Sequence, residues 1–199
     1  QAIMAAEEVA GAFPLTPNNG VLQQAVSDAQ NPYFDLFSAE DMSDFSEVIL
    51  WRDYDQGLGI VHNVPVNAML GNYGVGLTKG LVDSFLMENG LPIYANGSGY
   101  AGDDYIEDVR DNRDGRLWLF LKQPGQVNVL YNEQAGNSVT PIEPIPDITN
   151  NIWEKGYSTG YTIRKGLNYD GTQANNGQGY TGSLVFRATE AYLNYIEAS

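Results

Sequence analysis

The sequence predicts a mainly α chain with helices at its two ends and a loop-rich middle carrying short strands or hairpins. Three observations predict it. Residues 185–198 set their less polar side chains at 185/186, 189, 192/193 and 196, one face of a helix, while Arg187, Glu190, Asn194 and Glu197 fill the rest. Residues 1–10 are helix-forming from the first position. Between these two segments Gly, Asn and Pro punctuate the chain at short intervals.

Taken in order, the first helix ends at Gly11, and Phe13-Pro14-Leu15 turns the chain away. Asn18-Asn19-Gly20 is a turn, and Asn31-Pro32 opens a short segment over 33–37. Val48, Ile49, Leu50 and Trp51 form a run that predicts a strand over 47–54, buried on most of its surface. Residues 55–76 are glycine-rich without a period of either kind, which predicts a long loop of the sort that is functional or mobile. Glu88-Asn89-Gly90 turns a short element back between 81–87 and 91–94. After a glycine-rich loop at 96–102 and a charged run at 103–116, Leu117-Trp118-Leu119-Phe120-Leu121 predicts a strand. The prolines of 141–146 hold that stretch extended. Residues 168–182 contain no aliphatic larger than Ala and are expected to be a solvated excursion. Neither end carries a capping or closing side chain, so the chain is expected to be the middle of a larger protein.

At 199 residues with 43% hydrophobic content the chain is long enough to bury a core and too apolar to be a disordered polyampholyte. Twenty-five acidic residues against ten basic ones give a net charge of −15, which repels nucleic-acid phosphates and anionic lipid headgroups. No apolar run approaches the roughly 20 residues that span a bilayer, so membrane association is expected only through an anchor outside this chain. The absence of Cys removes disulfides and thiolate metal sites. Thirteen Tyr stand against seven Phe and three Trp. Tyr suits half-wet surfaces such as sugar sites, and it also accumulates with Asn and Gly in loop-rich proteins.

Residues 103–116 are the densest charged run, interleaving Asp103, Asp104, Glu107, Asp108, Asp111 and Asp114 with Arg110, Arg113 and Arg116. A glycosidase needs two carboxylates facing one bond, with pKa values pushed apart by different surroundings. Adjacent acids salted with arginines do not provide that, and a calcium loop would need an acid where Arg110 stands. An Arg–carboxylate network pinning a turn is expected instead, with a hydrolase or lyase using the 103–114 carboxylates as the rival reading. His62 is the only histidine, which excludes a multi-histidine metal site, and no Gly-x-Ser-x-Gly elbow holds a nucleophile. In the glycine-rich stretch before it, Lys79 follows Thr78, the wrong order for a phosphate loop. No catalytic residue, metal ligand or cofactor is expected.

The candidate ligand surface is the loop 54–73, which offers Tyr54, His62, Asn63, Asn67, Asn72 and Tyr73 among glycines that admit close backbone approach. A glycan site needs an aromatic platform plus amides or carboxylates for the ring hydroxyls, and Tyr73 beside Asn72 has both. The competing reading makes these ordinary turn residues. Tyr100 and Tyr105, beside Asp103 and Asp104, are the second choice. Trp51 and Trp118 lie in apolar runs and are expected in the core, and Trp153 is expected to be partly exposed.

Several blocks resemble one family in register. Arg187-Ala188-x-Glu190-Ala191-Tyr192-Leu193-x-Tyr195-x-Glu197-Ala198 is similar to the late helix of the SusD/RagB-like family of Bacteroidetes glycan-binding lipoproteins. Tyr33-Phe34-Asp35-Leu36-Phe37 followed by Ser46-Glu47-Val48-Ile49-Leu50-Trp51 resembles its helix-then-strand passage. Thr78-Lys79-Gly80-Leu81-Val82-Asp83-Ser84-Phe85 with Asn89-Gly90-Leu91-Pro92-Ile93 resembles its next segment. Asn112-Arg113-Asp114-x-Arg116-Leu117 and Gly160-Tyr161-Thr162-Ile163-Arg164-Lys165 look like its Asn-Arg-Asp-Pro-Arg and Gly-Tyr-x-x-Arg-Lys signatures, with Gly115 where Pro is usual. The resemblance implies an α-α superhelix, of which residues 1–199 would be a single-domain fragment consisting mostly of the loop-rich insertion. It also implies non-catalytic glycan binding by a surface-exposed outer-membrane lipoprotein, with a SusC-like TonB-dependent transporter as partner and the loop 54–73 on the glycan-facing side. The lipid anchor would lie outside this chain, and a member binding peptide or protein is a further reading.

Overall fold

The computed structural model describes residues 2–70, 75–133, 135, 139–147, 149 and 159–199. Most of its regular structure is helical, joined by turns and extended segments around one small antiparallel sheet. The helices are α1 Ala2–Ala12, α2 Pro32–Asp35, α3 Val64–Leu70, α4 Lys79–Ser84, α5 Ile106–Arg110, α6 Gly115–Phe120 and α7 Ala188–Ala198. Strands β1 Val48–Arg52 and β2 Ser183–Arg187 pair with Leu50 opposite Phe186 and Trp51 opposite Leu184, and the ladder is irregular between Val48 and Trp51.

Side chains start several of the short helices. Asn31 accepts the N–H of Tyr33 at 3.1 Å and Pro32 supplies a preset φ at the first position of α2. Thr78 accepts from the Leu81 N–H at 3.2 Å ahead of α4. Asp114 accepts from the Arg116 N–H at 2.8 Å ahead of α6. Gly115, where the resembled signature has Pro, is the first residue of α6, a position that tolerates either residue.

Five expectations are corrected. Residues 117–121 are not a strand but α6 and its carboxyl-side cap, because the Asp114 cap starts a turn that faces two ways. Leu117 and Leu121 enter one core cluster with Val82 and Val109, while Leu119 and Phe120 enter the other. The final helix begins at Ala188, not 185, because Val185 and Phe186 belong to β2, which pairs with β1. β1 is not buried on most of its surface: Ile49 is 44% and Leu50 49% exposed, because a two-stranded sheet leaves a face without a layer. The loop 55–76 contains α3, whose Pro65, Val66, Ala68, Met69 and Leu70 are all buried. Residues 168–182 are packed rather than solvated: a 3₁₀ turn at Gly171–Ala174 buries Gln173 and Ala174 beside α3. Gly171 is required there, since a Cβ would lie 2.4 Å from the Asn132 carbonyl oxygen.

The main core joins Phe34, Val66, Met69, Leu70, Leu119, Phe120, Leu167 and Tyr169. Trp118 packs against it half-buried, and Trp51 is likewise half-buried on the sheet. Trp153 lies outside the described residues. At the two ends of the chain α1 packs on α7, where the Tyr192 hydroxyl donates to the Ala10 carbonyl at 2.6 Å. The buried Glu47 carboxylate ties this layer to the sheet by accepting from the Thr16 N–H at 2.7 Å, the Arg187 guanidinium at 3.2 Å and the Thr189 hydroxyl.

Under the main core lies a polar hub. Lys122 and Glu143 have fully buried side chains 3.0 Å apart. The Lys122 ammonium also donates to the Ala68 carbonyl at 2.6 Å, and the Asn128 amide donates to Glu143 at 2.9 Å. Arg164, also fully buried, donates to the Leu119 carbonyl at 3.3 Å and to the Gln126 side chain. Burial pulls the Lys122 ammonium pKa down to about 8, against the pull of Glu143. Removing one partner strands a buried charge, so Lys122→Met should cost about 3–5 kcal/mol in urea unfolding. Lys122→Met combined with Glu143→Leu should recover a substantial part of that loss. A double variant as unstable as the single one would show that the ion pair is not the origin of the cost.

Candidate ligand-binding cleft

Three separate pieces of chain build an open cleft of about 590 Å³: residues 40–43, the end of β1 with the turn after it, and Tyr180. Its walls carry the rings of Trp51, Tyr54 and Tyr180 and the carboxylates of Glu40, Asp41, Asp53 and Asp55. No Lys or Arg is among the lining residues.

Local chemistry fixes each wall. Asp55 and Ile60 exchange backbone hydrogen bonds of 3.0 and 2.9 Å, and the Asp55 carboxylate accepts from the Leu58 N–H at 3.1 Å, closing a tight turn. Gly59 takes a positive φ of 69° there. Gly182 lets Trp51 approach, since a Cβ would stand 2.9 Å from the indole Cε3 and 3.0 Å from Met42 Cγ. The hydroxyl and N–H of Ser43 hold the Asp41 carboxyl below its usual range. Burial, reinforced by the charges of Glu40 and Asp170, pushes the Tyr180 hydroxyl up.

Among the predicted site residues, the structure brings Tyr54, His62 and Asn63 together. The Tyr54 and His62 rings meet edge to face with centroids 4.4 Å apart, and the Arg52 guanidinium lies 4.9 Å from the Tyr54 ring centre. His62 Nδ1 accepts from the Val64 N–H at 3.1 Å, so Nε2 carries the proton and donates to the Thr181 carbonyl at 2.8 Å. Both ring nitrogens are therefore committed, and His62 supports Tyr54 rather than lining the cleft. Asn63 accepts from the Gly177 N–H at 2.6 Å, anchoring the same 177–181 segment that carries Tyr180. Asn72 and Tyr73 lie outside the described residues.

The second-choice pair is separated from this cleft. The Tyr100 hydroxyl donates to Asp103, which also binds Lys79 at 2.6 Å, while Tyr105 is exposed. Burial and then the bond to Asp103 raise the Tyr100 pKa, and the Lys79 and Tyr100 bonds lower that of Asp103.

Sequence reasoning missed Glu40, Asp41, Asp53, Asp55 and Tyr180, and assigned Trp51 to the core. The alternation of Trp51, Asp53 and Asp55 past the end of β1 was a readable signal. Nothing local announces that Tyr180, some 125 residues further on, joins them.

The charged run 103–116 is not the expected Arg–carboxylate network. Arg113 is buried and donates to the carbonyls of Val109, Val82 and Phe85 at 3.1, 2.7 and 2.8 Å, and Arg110 donates to Gln123 and the Trp118 carbonyl. Of the three arginines only Arg116 pairs with an acid of the run, Asp114, at 2.6 Å. Asp103 and Asp114 are both held below the usual carboxylate range by their donors, whereas a general acid needs the opposite shift. Among the described residues no group of three or more His, Asp or Glu is placed to hold a metal ion, and no helix is long and apolar enough to cross a membrane.

The cleft is assembled from loops held on a mostly helical scaffold, the usual setting of binding residues. The SusD family model matches residues 46–199, and the chain belongs to that family. In fold it is similar to a SusD-like protein from Bacteroides fragilis NCTC 9343, with a TM-score of 0.59 and 22% identity, over 98% of this chain and 38% of that one. The chain thus spans 38% of the length of that structure. No curated protein matches it.

Beside the cleft, at the end of α2, burial alone raises the Asp35 carboxyl to about 6. The folded pKa lies above the unfolded value of 3.8, so folding is favoured most below that value and loses stability as pH rises through about 6. Asp35→Asn should therefore stabilise the protein at pH 7.5 by about 1 kcal/mol, after allowing for solvent screening at a half-exposed group, and by nothing near pH 3. Urea unfolding of both proteins at the two pH values checks this; a difference independent of pH would contradict it.

Proposed function

We propose that this protein is a non-catalytic binding protein that holds a neutral oligo- or polysaccharide in the cleft of Trp51, Tyr54 and Tyr180. SusD-family membership supports glycan binding, and the observation that carries the reading is the combination of three rings and four carboxylates in one open cleft. Ring faces and edges match the apolar faces of a sugar, and carboxylates accept from its hydroxyls. Four acids without a lining cation repel uronate, sulfated and sialylated chains, which is why the ligand is neutral. Asn72 and Tyr73, outside the described residues, stay in the proposal as candidates from the sequence, and His62 and Asn63 support the cleft. The family also supports delivery of the ligand to a SusC-like TonB-dependent transporter by a surface-exposed outer-membrane lipoprotein.

Removing one sugar-facing ring should cost on the order of 1–2 kcal/mol, roughly five- to thirty-fold in affinity. Calorimetry against neutral and acidic polysaccharides should therefore show binding to a neutral one, weakened by that factor in Trp51→Ala and Tyr54→Ala. Preference for an acidic polysaccharide, or unchanged affinity in both variants, would remove this cleft from the ligand surface. Incubation with the bound polysaccharide should release no new reducing ends or unsaturated products. Turnover lost in Asp103→Ala would instead establish an enzyme using the 103–114 carboxylates.

A further inference from the structure

A second open cleft, of about 390 Å³, adjoins the first. Glu40 and Asp41 line both, so the two hollows share a wall rather than lying on separate faces. The second is lined by Gln23, Gln30, Asp35, Tyr131, Asn168 and Tyr169 beside that shared pair. Its volume falls within the several hundred cubic ångströms typical of ligand sites.

Its chemistry repeats that of the first cleft. Tyr131 is 43% exposed, yet its backbone is held firmly: its N–H donates to the Tyr169 carbonyl at 3.1 Å and its carbonyl accepts from the Gly171 N–H at 2.9 Å. The next residue, Asn132, takes a left-handed φ of 52° and donates to Asp170 at 3.0 Å, fixing the corner from which the Tyr131 ring projects. Phe34 and Tyr169, with ring centroids 4.8 Å apart, give the hollow a solid aromatic floor. The Asp35 carboxyl and the Gln30 amide accept and donate no described hydrogen bond, so both are available to sugar hydroxyls. Again no Lys or Arg lines the hollow.

We propose that the two clefts are one continuous groove for a single neutral glycan chain, with Trp51, Tyr54 and Tyr180 holding one stretch and Tyr131, Gln30 and Asp35 holding the next. The inference rests on the glycan reading above and adds a second binding stretch and a requirement for length. A chain short enough to fit the first cleft gains nothing from Tyr131, whereas a longer one is held at both ends without a second association step.

The test is calorimetry of the full-length protein with neutral ladders of cello-, xylo-, manno- and malto-oligosaccharides from disaccharide to octasaccharide. In the ladder that binds, affinity should climb about tenfold or more with length and then level off. Tyr131→Ala should erase that climb, weakening the longest chains roughly five- to thirty-fold while leaving the shortest unchanged. Tyr131→Phe, which keeps the ring, should retain most of the climb, and Tyr54→Ala should weaken every length. Equal affinity for short and long chains in the unaltered protein, or a length dependence that survives Tyr131→Ala, would overturn the continuous groove while leaving the first cleft standing. Binding of no neutral saccharide at any length would overturn groove and glycan reading together.

Discussion

The Lys122–Glu143 pair is the constraint on which the arrangement of the loops depends. Lys122 sits one residue beyond the Leu121 cap of α6, and its ammonium reaches across to the Ala68 and Met69 carbonyls at the end of α3. Those carbonyls belong to the last turn of a helix, which has no intrahelical partner for them and favours a cation beside it. Glu143 neutralises the cation and takes the Asn128 amide, drawing the 126–128 and 141–143 segments together as extended partners. With the end of α3 fixed in this way, its start fixes His62 and Asn63, which in turn hold the 177–181 segment and Tyr180. The cleft is thus set by a charge pair that is itself entirely out of water.

The same solution recurs wherever the chain is irregular. A backbone without a long helix or a broad sheet leaves many carbonyls unpaired, and burying one without a donor costs as much as a lost hydrogen bond. Arg113 supplies three donors to carbonyls from α4, α5 and the turn after α4, and Arg164 serves Leu119 in α6. The rigid fork of a guanidinium can bridge carbonyls that lie on different segments, which a lysine ammonium does less well. That is why the two signature arginines are buried and the neighbouring acids are not their partners.

The unpaired acids have a different consequence. A net charge of −15 leaves the surface negative, because among the basic residues Arg110, Arg113, Lys122 and Arg164 are buried and Lys79 and Arg116 are paired with acids. Such a field selects against anionic chains before any contact forms, and leaves neutral hydroxyl-rich ones unaffected.

By itself the sequence determined the end helices, the Asn31-Pro32 and Asn89-Gly90 turns, the existence of β1 and the family, because each is written in a local period, a cap or a contiguous motif. It also singled out Tyr54, His62 and Asn63, which the fold brings close to one another. Only the tertiary structure decided that 117–121 coils rather than extends, since an unbroken apolar run satisfies a buried helix as well as a buried strand and the Asp114 cap tips the balance. It alone folded 168–182 inward, because small and polar residues can be buried when hydrogen bonds such as Gln173 to Glu40 meet their needs. And it alone joined Trp51 and Tyr54 to Tyr180, and Glu40 to both clefts, because closeness between residues so far apart along the chain comes from packing and leaves no local pattern to read.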